Sequence, residues 1–189
     1  MPVEGIPIQN MPAGASASVE GGAAARQAAA QPTDESFLTV YLPPDTTALL
    51  AVEQLSEVLK VPLAQLTPIP HLPEWILGVY NWRGEILWMV DLGSRLGLQP
   101  WHAQDMPPAI APAVVLEAPS SSGQAPLKVG LVVRRVDDIV ALDPGELQSP
   151  PNALVTDQLA PFLRGHWLDS TGQMLALLDG MALLDRMPT

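Results

Sequence analysis

The side chains with the most chemical potential in this sequence are its histidines, each with a carboxylate close by: His71 with Glu74, His102 with Asp105 and His166 with Asp169. Such pairs could ligate a metal or move a proton. None forms a ligand pattern such as H-E-x-x-H, and spacing places no third ligand, so no metal site is expected. A serine hydrolase needs its nucleophile in a strained elbow such as G-x-S-x-G, and Gly93-Ser94-Arg95 does not supply one. No G-x-G-x-x-G or G-x-x-x-x-G-K-[ST] run is present to cradle a phosphate. The expectation is a protein that is not an enzyme and carries no cofactor.

What remains is a single arginine in apolar surroundings. Arg83 sits in Asn81-Trp82-Arg83-Gly84, inside the stretch Pro68–Leu98. Trp75, Ile76, Leu77 and Val79 precede it, and the run Ile86-Leu87-Trp88-Met89-Val90 follows. The spacing predicts two strands joined by a hairpin, with Gly84 supplying the free φ angle that the reversal needs. The continuous apolar run after the turn predicts a strand buried on both faces. Asp91 ends it, and Leu92–Gly97 reads as one helical turn closed by glycine.

Composition limits what these elements can serve. The 189 residues suffice for one sizeable domain and a tail. Nine Lys and Arg against 20 Asp and Glu give a net charge of −11. Only Arg134 and Arg135 are adjacent, so a nucleic-acid groove is not expected. Without cysteine there are neither disulfides nor thiolate zinc sites. No window holds 18 or more apolar residues, and no basic segment leads into an apolar one at the N-terminus, so no membrane insertion is expected and the chain reads as cytoplasmic.

Residues 1–35, rich in Ala, Gly, Pro, Ser and Gln, read as a disordered tail, and residues 36–187 as the folded part. Phe37–Leu42 reads as a first strand ending at Pro43-Pro44. Ala48–Val61 is ambiguous: Val52, Leu55, Val58 and Leu59 have helical spacing, while its apolar ends suit two strands around a turn, and pattern alone favours a helix. Gln99–Pro112 reads as a connecting loop, Ala113–Leu116 as a strand, Ala118–Pro126 as a flexible connection, and Leu127–Leu142 as one or two strands. Near the end, Pro161-Phe162-Leu163-Arg164-Gly165 loosely echoes Pro73–Gly78; each then reaches a turn glycine, Gly172 or Gly84, and an apolar strand ending at Asp179 or Asp91. That suggests two similar β units, each closed on itself, with Leu183, Leu184 and Met187 in a terminal helix.

The central stretch resembles the CheW family of chemotaxis coupling proteins. The family run P-x-x-I-x-G-V-x-N-L-R-G-x-I-x-P-V-x-D-L is matched from Pro73 to Leu92, supported by Ser56–Leu59, by Val129–Val133 with Val136, and by Phe162–Gly165. Trp82 replaces the usual leucine before the arginine, and Trp88 replaces the usual proline. The resemblance implies a mainly β fold of two five-stranded SH3-like β-barrel subdomains around a shared hydrophobic core, with short helices. It places strand, turn and strand at Ala48–Val61 and so overrides the helix. It further implies a non-enzymatic adaptor linking the cytoplasmic tip of a chemoreceptor to a CheA-type histidine kinase, recruited to membrane-associated receptor arrays. A related adaptor of a type IV pilus or phototaxis pathway would need the same contacts.

An adaptor requires apolar anchors with polar rims on a stiff scaffold. The candidates are Arg83, which could meet a partner carboxylate bidentately or pair internally with Glu57; Glu57 itself; Val58 as a kinase-facing anchor; Trp82 as an aromatic anchor if exposed; and Asn81 and Gly84, needed more for turn geometry than for contact. A small-molecule-binding barrel would instead need a pocket with convergent polar groups, for which His71, Asn81 and Trp167 are the few candidates.

Overall fold

The computed structural model describes residues 6–7, 34–103, 108–118, 126–150 and 155–187. Most of the tail read at 1–35 and the connection read at Ala118–Pro126 lie outside them. Eleven strands are described: β1 (Ile6–Pro7), β2 (Glu35–Leu42), β3 (Thr46–Ala51), β4 (Leu55–Pro62), β5 (Ile76–Trp82), β6 (Glu85–Asp91), β7 (Ile110–Glu117), β8 (Lys128–Val132), β9 (Arg135–Leu142), β10 (Leu163–Leu168) and β11 (Met174–Leu178). Two short helices, α1 (Leu92–Arg95) and α2 (Gly180–Asp185), follow β6 and β11.

The strands form two mixed sheets. One runs β1-β4-β7-β8-β6-β5 and the other β10-β11-β3-β2-β9. The first therefore has five principal strands plus the two-residue β1. Each contains one parallel pairing, β6 with β8 and β11 with β3.

Each sheet curls until its edges meet. Thr67, in the chain after β4, exchanges backbone hydrogen bonds of 2.9 Å with Val79 on β5. Gln148, in the chain after β9, does the same with His166 on β10, also at 2.9 Å. A glycine precedes each bridge residue because the strands approach too closely for a side chain. A Cβ at Gly78 would collide with the Thr67 carbonyl oxygen, and one at Gly165 would lie 2.6 Å from Leu147 Cγ and 2.8 Å from the Gln148 carbonyl oxygen. The echo seen in the sequence is thus the closure of two SH3-like barrels.

The barrels share a core. Leu38, Val40 and Leu50 of the second sheet pack with Val90, Val114, Leu116 and Leu131 of the first, and Phe162, Leu183 and Leu184 complete the cluster. Each barrel also has its own interior: Leu59, Val61, Tyr80, Leu87 and Met89 in the first, and Phe37, Leu49, Trp167 and Leu177 in the second.

At Ala48–Val61 the strand, turn and strand implied by the resemblance are present, and two other expectations are corrected. The helical spacing at Ala48–Val61 belongs to β3, a single 3-10 turn at Val52–Gln54, and β4. In β4 the alternation of buried Leu55, Glu57, Leu59 and Val61 with more exposed neighbours is the period of a strand. The run after the hairpin is not buried on both faces, because Ile86 is 76% exposed. The loop read at Gln99–Pro112 ends sooner, since β7 begins at Ile110 and takes in Pro112, whose carbonyl accepts the Val133 amide at 3.1 Å.

Candidate functional site

The β5–β6 hairpin turns through Arg83 and Gly84, at φ of 54° and 85°, between the paired Trp82 and Glu85. Positive φ at both central residues suits the right-handed strand twist. The turn is held locally by Asn81, whose Oδ1 accepts the Gly84 amide at 3.0 Å. Asn81 and Gly84 thus set the geometry that aims Arg83.

Glu57 lies on β4, the principal strand at the opposite edge of the same sheet, and barrel closure brings it under the hairpin. Its side chain is 2% exposed. One oxygen, Oε1, accepts from Arg83 Nη2 at 3.0 Å, and Oε2 accepts from Trp82 Nε1 at 3.1 Å. The carboxylate therefore satisfies a buried indole and a guanidinium at once, as a buried charge requires.

Trp82 is not an exposed anchor. It is 8% exposed, with its ring in the core of the first barrel. Two cations stand near that ring, Arg83 Cζ at 5.2 Å from its centroid and Lys128 Nζ at 5.0 Å. Lys128 also reaches Glu85 Oε2 at 3.4 Å. Arg83, although paired, keeps 63% of its side chain in solvent. Val58 is half-buried beside Glu57. Glu57, Trp82, Arg83, Asn81 and Gly84 thus converge, with Val58 on the flank.

Sequence pattern missed the exposed member of the group. Ile86, opposite Asn81 on β6, projects from the hairpin while Leu87 and Met89 fill the barrel. Its place in the strand alternation, out of phase with those two residues, was the available signal. The alternative set of His71, Asn81 and Trp167 does not converge: Asn81 is at the hairpin tip, whereas Trp167 packs on Phe37 in the second barrel with ring centroids 5.2 Å apart. Among the described residues no three His, Asp or Glu side chains come together as a metal site, and no helix is long and apolar enough to cross a membrane.

The arrangement fixes a cation and an aliphatic side chain on one hairpin. Fold and site together define a two-barrel β module that presents a braced hairpin tip. Residues 36–187 match the family model described as a CheW-like domain, and the chain belongs to that family. It is 32% identical over 113 residues to the chemotaxis protein CheW of Rhizobium meliloti (strain 1021), covering 60% of this chain and 65% of that protein. To the chemotaxis protein CheW of Treponema pallidum (strain Nichols) it is 25% identical over 123 residues, covering 65% and 67%. The match thus spans just under two thirds of the Rhizobium relative's length. The crystal structure of the scaffolding protein TtCheW from Thermoanaerobacter tengcongensis superposes with a TM-score of 0.61 at 25% identity, over 77% of this chain and 89% of that one.

Proposed function

We propose that this protein is a non-enzymatic adaptor coupling the cytoplasmic tips of chemoreceptors to a CheA-type histidine kinase, working in the cytoplasm at receptor arrays. The observation that carries the reading is the hairpin tip. There Arg83, 63% exposed, is braced by a buried carboxylate, next to a strand on which Ile86 is 76% exposed. An anchor with a charged rim, held in one conformation before binding, loses little freedom when a partner arrives. Relatives named as chemotaxis and scaffolding proteins support the same reading.

The test is capture of a CheA-type kinase and of a receptor tip fragment by the purified chain, comparing wild type with Arg83→Ala and Ile86→Asp. Wild type is expected to hold both partners, and each variant to weaken at least one of them about tenfold or more while staying folded. Ile86→Asp changes an exposed position and so separates loss of contact from loss of fold. Failure of the folded wild type to bind either partner sinks the reading.

A further inference from the structure

Ile6 and Pro7 lie antiparallel to β4, with Ile6 opposite Val58 and Pro7 opposite Glu57. They form the outermost strand of the first sheet. Without them this part of the β4 edge would present unpaired backbone N–H and C=O groups, a template for another strand. The second sheet meets the same hazard differently. Its edge strand β9 carries Arg135, Asp137 and Asp138, charges that discourage strand addition, and among the described residues no strand lies outside it. On β4 the charges are Glu57 and Lys60, and the Glu57 carboxylate is drawn into its buried ion pair. The exposed charge on this strand is Lys60, two residues beyond Val58 and outside the stretch paired with Ile6 and Pro7.

We propose that the β4 edge at Glu57–Val58 is a strand-addition site whose occupant is this chain's own N-terminal segment, docked in cis as a displaceable guard. Residues 8–33 separate Pro7 from Asp34. A chain of that length reaches up to about 90 Å, ample for any point on a domain of this size. Tethering sets a local concentration on the order of millimolar, which a second copy at micromolar concentration does not match. Among the described residues the guard pairs through Ile6 and Pro7, and Pro7 offers no N–H to the ladder. An extended partner segment with several consecutive amides makes more backbone bonds at this edge and displaces it. In backbone register Pro7 is opposite Glu57, the residue whose carboxylate holds Arg83. The inference stands on backbone register, whichever partners the tip meets.

The experiment is amide hydrogen exchange at Glu57 and Val58, read by NMR on the full chain and on a full-length variant with residues 3–8 replaced by Gly and Ser. The outward-facing amide of the two is expected to exchange about tenfold faster or more in the variant. Adding a synthetic peptide of residues 3–10 to the variant should restore its protection. Tryptophan fluorescence and the amides of β7 and β8, unchanged between the chains, report an intact barrel. Equal exchange in the two chains overturns the proposal, as does protection that is lost on tenfold dilution of the wild type, which would mean docking between copies.

Discussion

Glu57 serves two donors with one carboxylate, and the balance between them is measurable. Arg83→Ala leaves the Trp82 indole on Glu57 but removes a charge-assisted bond, so a loss of about 1–2 kcal/mol in urea unfolding is expected, the exposure of Arg83 limiting the effect. Glu57→Ala orphans a buried indole as well and should cost more, about 3 kcal/mol. In the double variant the costs should fall short of additive, because both changes remove the same bond; strict additivity would show the pair contributes nothing. Asp91 gives a second test at this scale. It is 1% exposed and caps α1, accepting the Ser94 amide at 3.2 Å, and its two oxygens also take the Trp101 amide at 3.3 and 3.1 Å. Burial pushes its carboxyl above the ordinary 3.8, opposed by the Ser94 and Trp101 amides, the charge of His102 and the Gly93 amide. The folded state therefore binds a proton that the unfolded chain has released. Its contribution to stability falls as pH rises from about 3.8 through the raised value, and is level above it. Unfolding of Asp91→Asn, which keeps the capping oxygen, should show a smaller fall across that interval; curves of equal slope would contradict the assignment.

At the scale of elements, strand, hairpin, strand and capped turn occur twice. Asp91 N donates to the Trp75 carbonyl at 2.8 Å and Asp179 N to the Phe162 carbonyl at 2.7 Å. Both aspartates then cap a helix by accepting an amide three residues on, from Ser94 at 3.2 Å and from Ala182 at 3.1 Å. The hairpin turns are also alike in kind: Asn81 accepts from Gly84, and Asp169 accepts from Thr171 and Gln173 around Gly172 at φ 82°. The glycines in these units do different jobs, which predicts different costs. Gly84→Ala meets nothing within 4 Å and should lose about 1 kcal/mol for its positive φ alone. Gly78→Ala combines φ 132° with a collision against the Thr67 carbonyl and should lose about 3 kcal/mol or more, opening the first barrel at its bridge. Similar losses for the two in urea unfolding would show that the bridge is not a closure.

Across the whole molecule the two units meet through Arg95. Its guanidinium lies 4.5 Å from the Trp75 ring centroid and 4.6 Å from that of Phe162, the residues at matching places in the two repeats. Nη2 donates to the Arg186 carbonyl at 3.3 Å, tying α1 to the end of α2. One cation thus spans aromatics from both barrels over the shared core. Arg95→Ala should cost about 2 kcal/mol and lower Tm by about 4–8 °C. Arg95→Lys, which keeps the charge but loses the flat face, should recover only part. Retention of the wild-type Tm by Arg95→Ala would show that the shared core alone joins the barrels.

Local chemistry made much of this legible beforehand. Asn81 and Gly84 specify a reversal, Asp91 and Asp179 specify helix starts, and the echo between Pro73–Asp91 and Pro161–Asp179 specifies two related units, because each rests on residues within a few positions of one another. Short-range spacing could not distinguish helix from strand at Ala48–Val61, where β3 pairs with β11 and β4 with β7, both far away in sequence. Nor could it tell that Trp82, beside the exposed turn, is buried. Side-chain exposure on a closed barrel depends on which strands curl round to meet, and that meeting places Glu57, 26 positions before Arg83, beneath the hairpin tip. The sequence by itself determined the turns, the caps and the repeat. The tertiary structure decided which faces point inward and which distant charges pair, since both depend on contacts formed only when the chain closes.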